Sequence, residues 1–322
     1  MTKTLVLYLL LLTSIAGAQV LLPTALTAFE PQHSFNPEII RLRDIRRITF
    51  EIIDKKDFEI AEDKNLTETY EFNQEGLVSR YYYTVIARTI QKEITGRHGT
   101  STTTEYVYDT VSTSFFYDGQ NRVILRRYHD GSNYYESRYY RYNSDGQMTR
   151  ELRYRETNVS PVKSFFILGN QVLLSEDSFQ YQNYSAKQYK CIVLNNEKRP
   201  YKERVINLDS IGRQKSANEY YTAASWLFQN YTYRYDGKRL VEAIYKANSG
   251  VETVMKNLYE YQEGELYSEK QYRDNELLRE ISYVADRANG LLNSFVLRDP
   301  VARTMRIVRL RYEFGLLTKG GK

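Results

Sequence analysis

The stretch Tyr134–Tyr154, YYESRYYRYNSDGQMTRELRY, sets aromatic, cationic and acidic residues on both sides of an Asn143-Ser144-Asp145-Gly146 segment. Aromatics at alternate positions approach the turn, Gly146 supplies the positive φ of a tight reversal, and an alternating segment leads away. That is the pattern of a β-hairpin. In the returning arm Met148, Arg150, Leu152 and Tyr154 share one face, and Gln147, Thr149, Glu151 and Arg153 share the other. The first face is expected to be half-buried and the second wet. Tyrosine suits such a boundary, having an apolar ring and a polar tip. Cross-strand Tyr, Arg and Glu pairs on the wet face are worth roughly 0.2–1 kcal/mol each.

The hairpin recurs. YEFNQEGLVSRYYY from Tyr70, FFYDGQNRVILRRY from Phe115, YRYDGKRLVEAIY from Tyr233 and YEYQEGELYSEKQY from Tyr259 share an aromatic-x-aromatic arm, a glycine turn and an apolar return. Glycines 119, 146, 169, 212, 237 and 264 are spaced by 27, 23, 43, 25 and 27 residues, a repeat of one hairpin with one doubled interval. The pattern predicts an all-β chain of about ten tandem hairpins forming one extended antiparallel sheet that curls or spirals, because flat sheets of that many strands are unfavourable. Before the repeats, Asn36-Pro37-Glu38 reads as an N-cap, a proline at N1 and an acidic first turn, opening a short helix through Asp44. Residues 19–35 have no periodicity and are expected to be a mobile leader. Residues 36–315 form the repeat domain, and 316–322 a loose tail.

The bulk composition agrees. Of 322 residues 31 are tyrosine and only 6 proline, a balance that favours strands. The N-terminus reads as an export signal: Lys3, an apolar run from Leu5 to Leu12, then Ala16-Gly17-Ala18 as a cleavage site, so the mature chain is expected to begin at Gln19 in the periplasm or outside the cell. Removing residues 1–18 takes the net charge from +5 to +4. The charges alternate in sign along strands, which argues against a nucleic-acid partner. A membrane β-barrel is disfavoured because Arg126, Glu151, Arg153, Glu269 and Lys270 put charge on both strand parities. The single cysteine, Cys191 in the apolar run QYKCIVL, reads as a core residue.

The segments Tyr117-Asp118-Gly119, Tyr235-Asp236-Gly237 and Tyr142 through Gly146 resemble the tyrosine-rich YD repeats, related to RHS repeats, of exported Bacteroidota proteins; looser copies cover about residues 66 to 312. The resemblance implies repeated hairpins and export. The encapsulating role of the large RHS proteins is not implied for a chain this short.

Catalytic motifs are missing: there is no HExxH, GxSxG, P-loop or GxGxxG string, and no cofactor or metal motif. His129-Asp130 reads as a hairpin loop, and Glu151 and Glu156 as strand charges. The residues with the strongest claim to binding are Trp226, the only tryptophan, with Tyr221, Tyr231 and Tyr233 around it. The expectation is a non-enzymatic exported scaffold or binding protein of the cell envelope, meeting glycan or another envelope protein through its aromatic sheet surface. The alternatives are a carrier of an apolar ligand inside a curled sheet, or a glycan hydrolase.

Overall fold

The structure, a computed structural model, describes residues 19–30, 32–96, 99–162, 165–286 and 288–315. The export signal, His98 and the tail at 316–322 lie outside the described residues. One short helix, α1 (Pro37–Leu42), follows the leader, with the Asn36 side chain accepting from the Glu38 N–H at 3.1 Å, the cap expected from the sequence. The first nine strands are β1 (Ile45–Lys56), β2 (Glu62–Phe72), β3 (Val78–Gly96), β4 (Gly99–Tyr117), β5 (Val123–His129), β6 (Tyr134–Tyr142), β7 (Met148–Asn158), β8 (Leu168–Ser185) and β9 (Gln188–Leu194). The remainder are β10 (Pro200–Leu208), β11 (Gln214–Tyr221), β12 (Trp226–Asp236), β13 (Arg239–Asn248), β14 (Glu252–Gln262), β15 (Glu265–Arg273), β16 (Glu276–Ala285), β17 (Leu292–Asp299) and β18 (Thr304–Phe314).

Every strand pairs antiparallel with its sequence neighbours, and β1 pairs with β18 from Ile45↔Phe314 to Lys56↔Thr304. The sheet is therefore a closed 18-stranded up-and-down barrel. The open, curled sheet of about ten hairpins expected above is corrected on this point. The physical reason lies in β1: ITFEIID reads as the first strand of an array, but it has a second partner in β18, and that pairing removes both edges.

Closure assigns the two faces of every strand. Ile48, Phe50 and Ile52 point inward, and through the pairing Phe50↔Leu310, Ile48↔Tyr70 and Tyr70↔Tyr81 the inner face can be followed around the wall. The outer face carries cross-strand ion pairs: Arg47 with Glu71 (2.9 Å) and Glu313 (3.0 Å), Lys270 with Glu260 (3.0 Å), and Glu242 between Arg234 (3.2 Å) and Lys256 (3.4 Å). In lipid each such cation near mid-bilayer would cost about 2–4 kcal/mol. Among the described residues no helix is long and apolar enough to cross a membrane.

The hairpin Tyr134–Tyr154 now has a place. Glu151 and Arg153 line the lumen with Glu136 and Arg138, joined by Arg153–Glu136 (2.7 Å) and Arg138–Glu151 (3.3 Å). Leu152 and Glu156, on the opposite parity, are buried on the outside. Glu156 accepts hydrogen bonds from Ser137 (2.5 Å), Tyr139 (2.6 Å), Gln171 (2.8 Å) and Arg127 (3.1 Å), and the Arg127 guanidinium lies 3.6 Å from the Phe166 ring centroid, in the β7–β8 loop. Burial opposes ionisation of Glu156, but these hydrogen bonds and the Arg127 charge hold its pKa below the usual carboxylate value.

The recurring tyrosine of the repeat has a specific task. Connections β2–β3, β4–β5 and onward in that series lie at the end of the barrel where β1 begins, called here the turn end; the others form the loop end. Near the turn end six tyrosine hydroxyls each donate to a carbonyl at the start of the return strand of the preceding hairpin. They are Tyr117 to Val78 (2.7 Å), Tyr142 to Val123 (2.8 Å), Tyr181 to Met148 (3.0 Å), Tyr235 to Gln214 (2.9 Å), Tyr261 to Leu240 (2.9 Å) and Tyr312 to Leu292 (2.6 Å). Three of the rings are capped by an arginine of the preceding turn: Arg122 over Tyr142 (4.6 Å), Arg213 over Tyr235 (4.0 Å) and Arg239 over Tyr261 (5.5 Å). Each latch ties one hairpin to the next.

Candidate functional site

The barrel interior is not uniform. Residues 19–30 and 32–35 of the segment expected as a mobile leader are packed inside it: Val20, Leu21, Ala28 and Phe35 are buried in one core cluster with Phe50, Tyr70, Tyr233, Tyr259, Tyr283 and Phe295 of the wall. The leader doubles back on itself, with Leu22 N–H donating to Ser34 O (2.8 Å) and Asn36 N–H to Val20 O (2.8 Å). It is also tied to the wall, since Asn257 Nδ2 donates to Ala28 O (2.5 Å), Leu266 N–H donates to the Gln19 side chain (2.5 Å), and Phe29 packs on Tyr231 and Tyr245. At the turn end the β2–β3 turn presses on α1. Gly76 has φ +78 there, and a Cβ on it would overlap Pro37 O and come 3.1 Å from Arg41 N. Leader, helix and turn together form a plug.

Above the plug a cavity of ≈ 720 Å³ opens toward the loop end. Its floor is aromatic. His33 sits 5.1 Å from Phe50 and 5.4 Å from Phe295, ring to ring, and Tyr283 is 5.8 Å from Phe295. Burial pushes the His33 imidazole down to about 4, so it is neutral at pH 7. Two carboxylates project into this space, Glu68 from β2 and Glu269 from β15. Burial raises both above their usual pKa, offset in part by Arg306 and a Tyr81 hydrogen bond for Glu68, and by a Tyr283 hydrogen bond (3.1 Å) and Arg279 for Glu269. Both are largely but not fully covered, and the enclosing wall strips enough hydration to shift them.

The cations divide. Arg306 is held by Asp54 in two contacts, 2.8 and 3.3 Å. Arg279, whose alternate neighbours Ile281 and Tyr283 are buried on the inner face, makes no ion pair or hydrogen bond among the described residues. The Asn257 Oδ1 atom is buried without a partner and belongs to the same cavity lining. An enclosed aromatic floor with two under-paired carboxylates, a free guanidinium and an orphan carbonyl can hold a polar ligand by several hydrogen bonds. No group of three or more His, Cys, Asp or Glu residues suited to a metal occurs among the described residues.

The four residues singled out from sequence separate. Trp226 and Tyr221 lie at the loop-end rim, 6.2 Å apart, with Phe228 stacked on Tyr221 at 4.0 Å beside a recess of ≈ 250 Å³. Tyr231 and Tyr233 face inward, Tyr231 against Phe29 of the leader and Tyr233 buried in the core cluster. His129 stacks on Tyr135 (4.2 Å) and reaches Ser132 O (2.9 Å), the loop role read from the sequence. Cys191 is buried. The cavity residues Glu68, Glu269, Arg279 and Asn257 were not singled out. A charge on the parity of buried neighbours, Arg279 with Ile281 and Tyr283, is the signal that could have marked one of them.

No family model matches the chain, and no curated protein matches it. Among solved structures it is similar to a porin-like protein from Bacteroides uniformis, with 12% identity over 84% of this chain and 97% of that one, at a TM-score of 0.38. Two structures titled TcdB2-TccC3-TEV and TcdB2-TccC3-Cdc42 match at 10% and 11% identity with TM-scores of 0.23 and 0.22. Both matches cover 91% of this chain, which spans 17% of each of those chains.

Proposed function

We propose that the protein is a non-enzymatic, exported binding protein of the cell envelope that takes its ligand inside the barrel. The observation that carries this is the ≈ 720 Å³ cavity, closed below by the protein's own N-terminal segment and lined by aromatic and ionised side chains. A structural core of this size has no need of unpaired charge, since a buried charge without a partner is destabilising. The polar lining also disfavours an apolar cargo. A second reading places a sugar ring on the rim cluster of Tyr221, Trp226 and Phe228, where stacking faces meet a recess.

The test is mass spectrometry of small molecules released on denaturing the protein purified from its native envelope. Gln271→Trp, which fills the cavity from β15, is expected to abolish their retention, while Lys256→Trp on the outer wall is not. Equal retention by both variants would overturn the lumen reading. Loss on Trp226→Ala alone would establish the rim instead.

A further inference from the structure

Closure gives every strand two neighbours, but not along its whole length. At the loop end β3 and β4 outrun the adjoining wall: β2 stays with β3 only as far as Glu68↔Tyr83, β5 joins β4 only from Ser112↔His129, and beyond those points the two strands pair with each other alone. The first half of β8 has the same character. It pairs with β7 from Leu168 onward, whereas β9 joins it only at Ser178, so Leu168–Asp177 has a partner strand on one side. The Asn196 side chain covers the lower end of the free side, accepting from the Glu176 N–H at 2.6 Å. From Leu168 to Ser175 no described residue bonds the backbone on that side.

An unpaired strand edge is a template for another strand, and folded proteins blunt such edges with charge or proline. The β3–β4 extension follows that rule, carrying Arg88, Lys92, Glu93 and Glu105. The β8 edge does not. From Phe165 to Ser175, FFILGNQVLLS, there is neither charge nor proline, in a chain of which 26% is charged. Val172 and Leu173 are 58% and 45% exposed there, and Val162 and Phe165 of the preceding connection 56% and 63%. The charges just beyond are already engaged: Glu176 pairs with Arg150 and Lys198, and Asp177 accepts from the Tyr201 hydroxyl at 3.0 Å.

We propose that Leu168–Ser175 is a dimerisation edge, at which β8 of one copy adds antiparallel to β8 of a second and joins the two barrels through one continuous sheet. The alternating N–H and C=O groups of an edge are satisfied together only by another extended strand, which fixes the chemistry of the occupant. Uncharged, proline-free apolar segments pair readily with identical segments, and a two-fold axis lets the same residues serve both sides. With that axis at Val172, uncharged side chains face uncharged side chains, and the two Glu176 carboxylates stand about 27 Å apart at opposite ends, eight residues at ~3.4 Å each. An edge about 27 Å long in a sheet about 10 Å thick covers roughly 270 Å² per copy, against the ~800 Å² of a stable interface. Val162 and Phe165 add to that area, so the dimer is expected to be weak, with a dissociation constant of roughly 10–100 µM. The pairing is independent of any ligand in the lumen.

Sedimentation equilibrium of the purified protein from about 5 to 500 µM tests this, and a monomer–dimer equilibrium is expected within that range. Val172→Lys sets two ammonium groups across the axis and should weaken association at least about tenfold, Val172→Glu should do the same with two carboxylates, and mixing the two variants should restore it. Val251→Lys, at an exposed apolar residue of the β13–β14 connection, is the control and should leave association unchanged. Circular dichroism checks that the variants fold. In native envelopes, irradiation of Val172→p-benzoylphenylalanine should yield a cross-linked species of twice the chain mass. A protein that stays monomeric across the range, a dimer that survives both charged variants, or a cross-link to a different protein alone would each overturn the inference.

Discussion

Replacing the latch tyrosines by phenylalanine removes a single oxygen from each and leaves the ring in place, so it isolates the hydrogen bond between neighbouring hairpins. In Tyr261→Phe the Leu240 carbonyl, which accepts from the Tyr261 hydroxyl at 2.9 Å in the native protein, loses its donor. Leu240 is 1% exposed, so water does not readily take over. The net value of such a bond is about 1 kcal/mol, and leaving a buried acceptor unpaired raises the cost to about 1–3 kcal/mol. Tyr142 and Tyr235 make the same bond to Val123 and Gln214 on other hairpins. Three such losses sum to about 3–9 kcal/mol in the triple Phe variant, with Tyr235 and Tyr261 coupled through the Tyr235↔Leu240 pairing. Equilibrium urea unfolding followed by circular dichroism measures this, with Tyr267→Phe, an exposed tyrosine, as the control. If the triple variant unfolds at the same urea concentration as the control, the latches do not hold the barrel and the reasoning fails.

Gly76→Ala should destabilise by at least about 2 kcal/mol, because a side chain at φ +78 costs roughly 1–2 kcal/mol before the collision with Pro37 is counted; urea midpoints against wild type check it. Gly146→Val should also lower the midpoint, since Gly146 has φ +80 and valine resists that conformation. Glu269→Gln should raise stability near pH 7 and lose that advantage in acid. The folded carboxyl has a raised pKa, so its unfavourable ionisation sets in as pH climbs above the ordinary glutamate value, and paired unfolding curves at pH 4 and pH 7 read the difference. His33 works in the opposite sense: its folded pKa is depressed to about 4, so the unfolded chain binds the proton first. Stability is then expected to fall between the unfolded value of 6.5 and about 4, a slope that His33→Phe should flatten. The buried Cys191 thiol should resist a thiol reagent in the native protein and react on unfolding, as absorbance titration would show.

The hairpins were legible because their signals are local. Alternation such as Tyr140-Arg141-Tyr142 and the turn glycines act over a few residues, and the helix cap at Asn36 does too. Closure was not legible, because it depends on β1 meeting β18 across more than 250 residues, and nothing within ITFEIID distinguishes an edge strand from a seam. That missing contact is also why the site was missed. Until the sheet closes, Glu151 and Glu156 are both strand charges; afterwards one lines the lumen and the other is buried on the outside. The leader failed to announce itself because its burial comes from irregular contacts, Ala28 O with Asn257 and Phe29 with Tyr231, and not from any period.

The tyrosine latches all sit near one rim, and this has a consequence for how such a chain can change over evolutionary time. The six latches sit at the turn end, where the connections are short, whereas β3 and β4 run on for 19 residues each toward the loop end. Insertions beyond the latches lengthen a hairpin without disturbing the seam, since long surface connections carry only a slowly growing entropic cost. Variation can therefore collect around the mouth of the cavity while the opposite rim keeps its latch tyrosines, so homologous barrels would share a base and differ in what they admit.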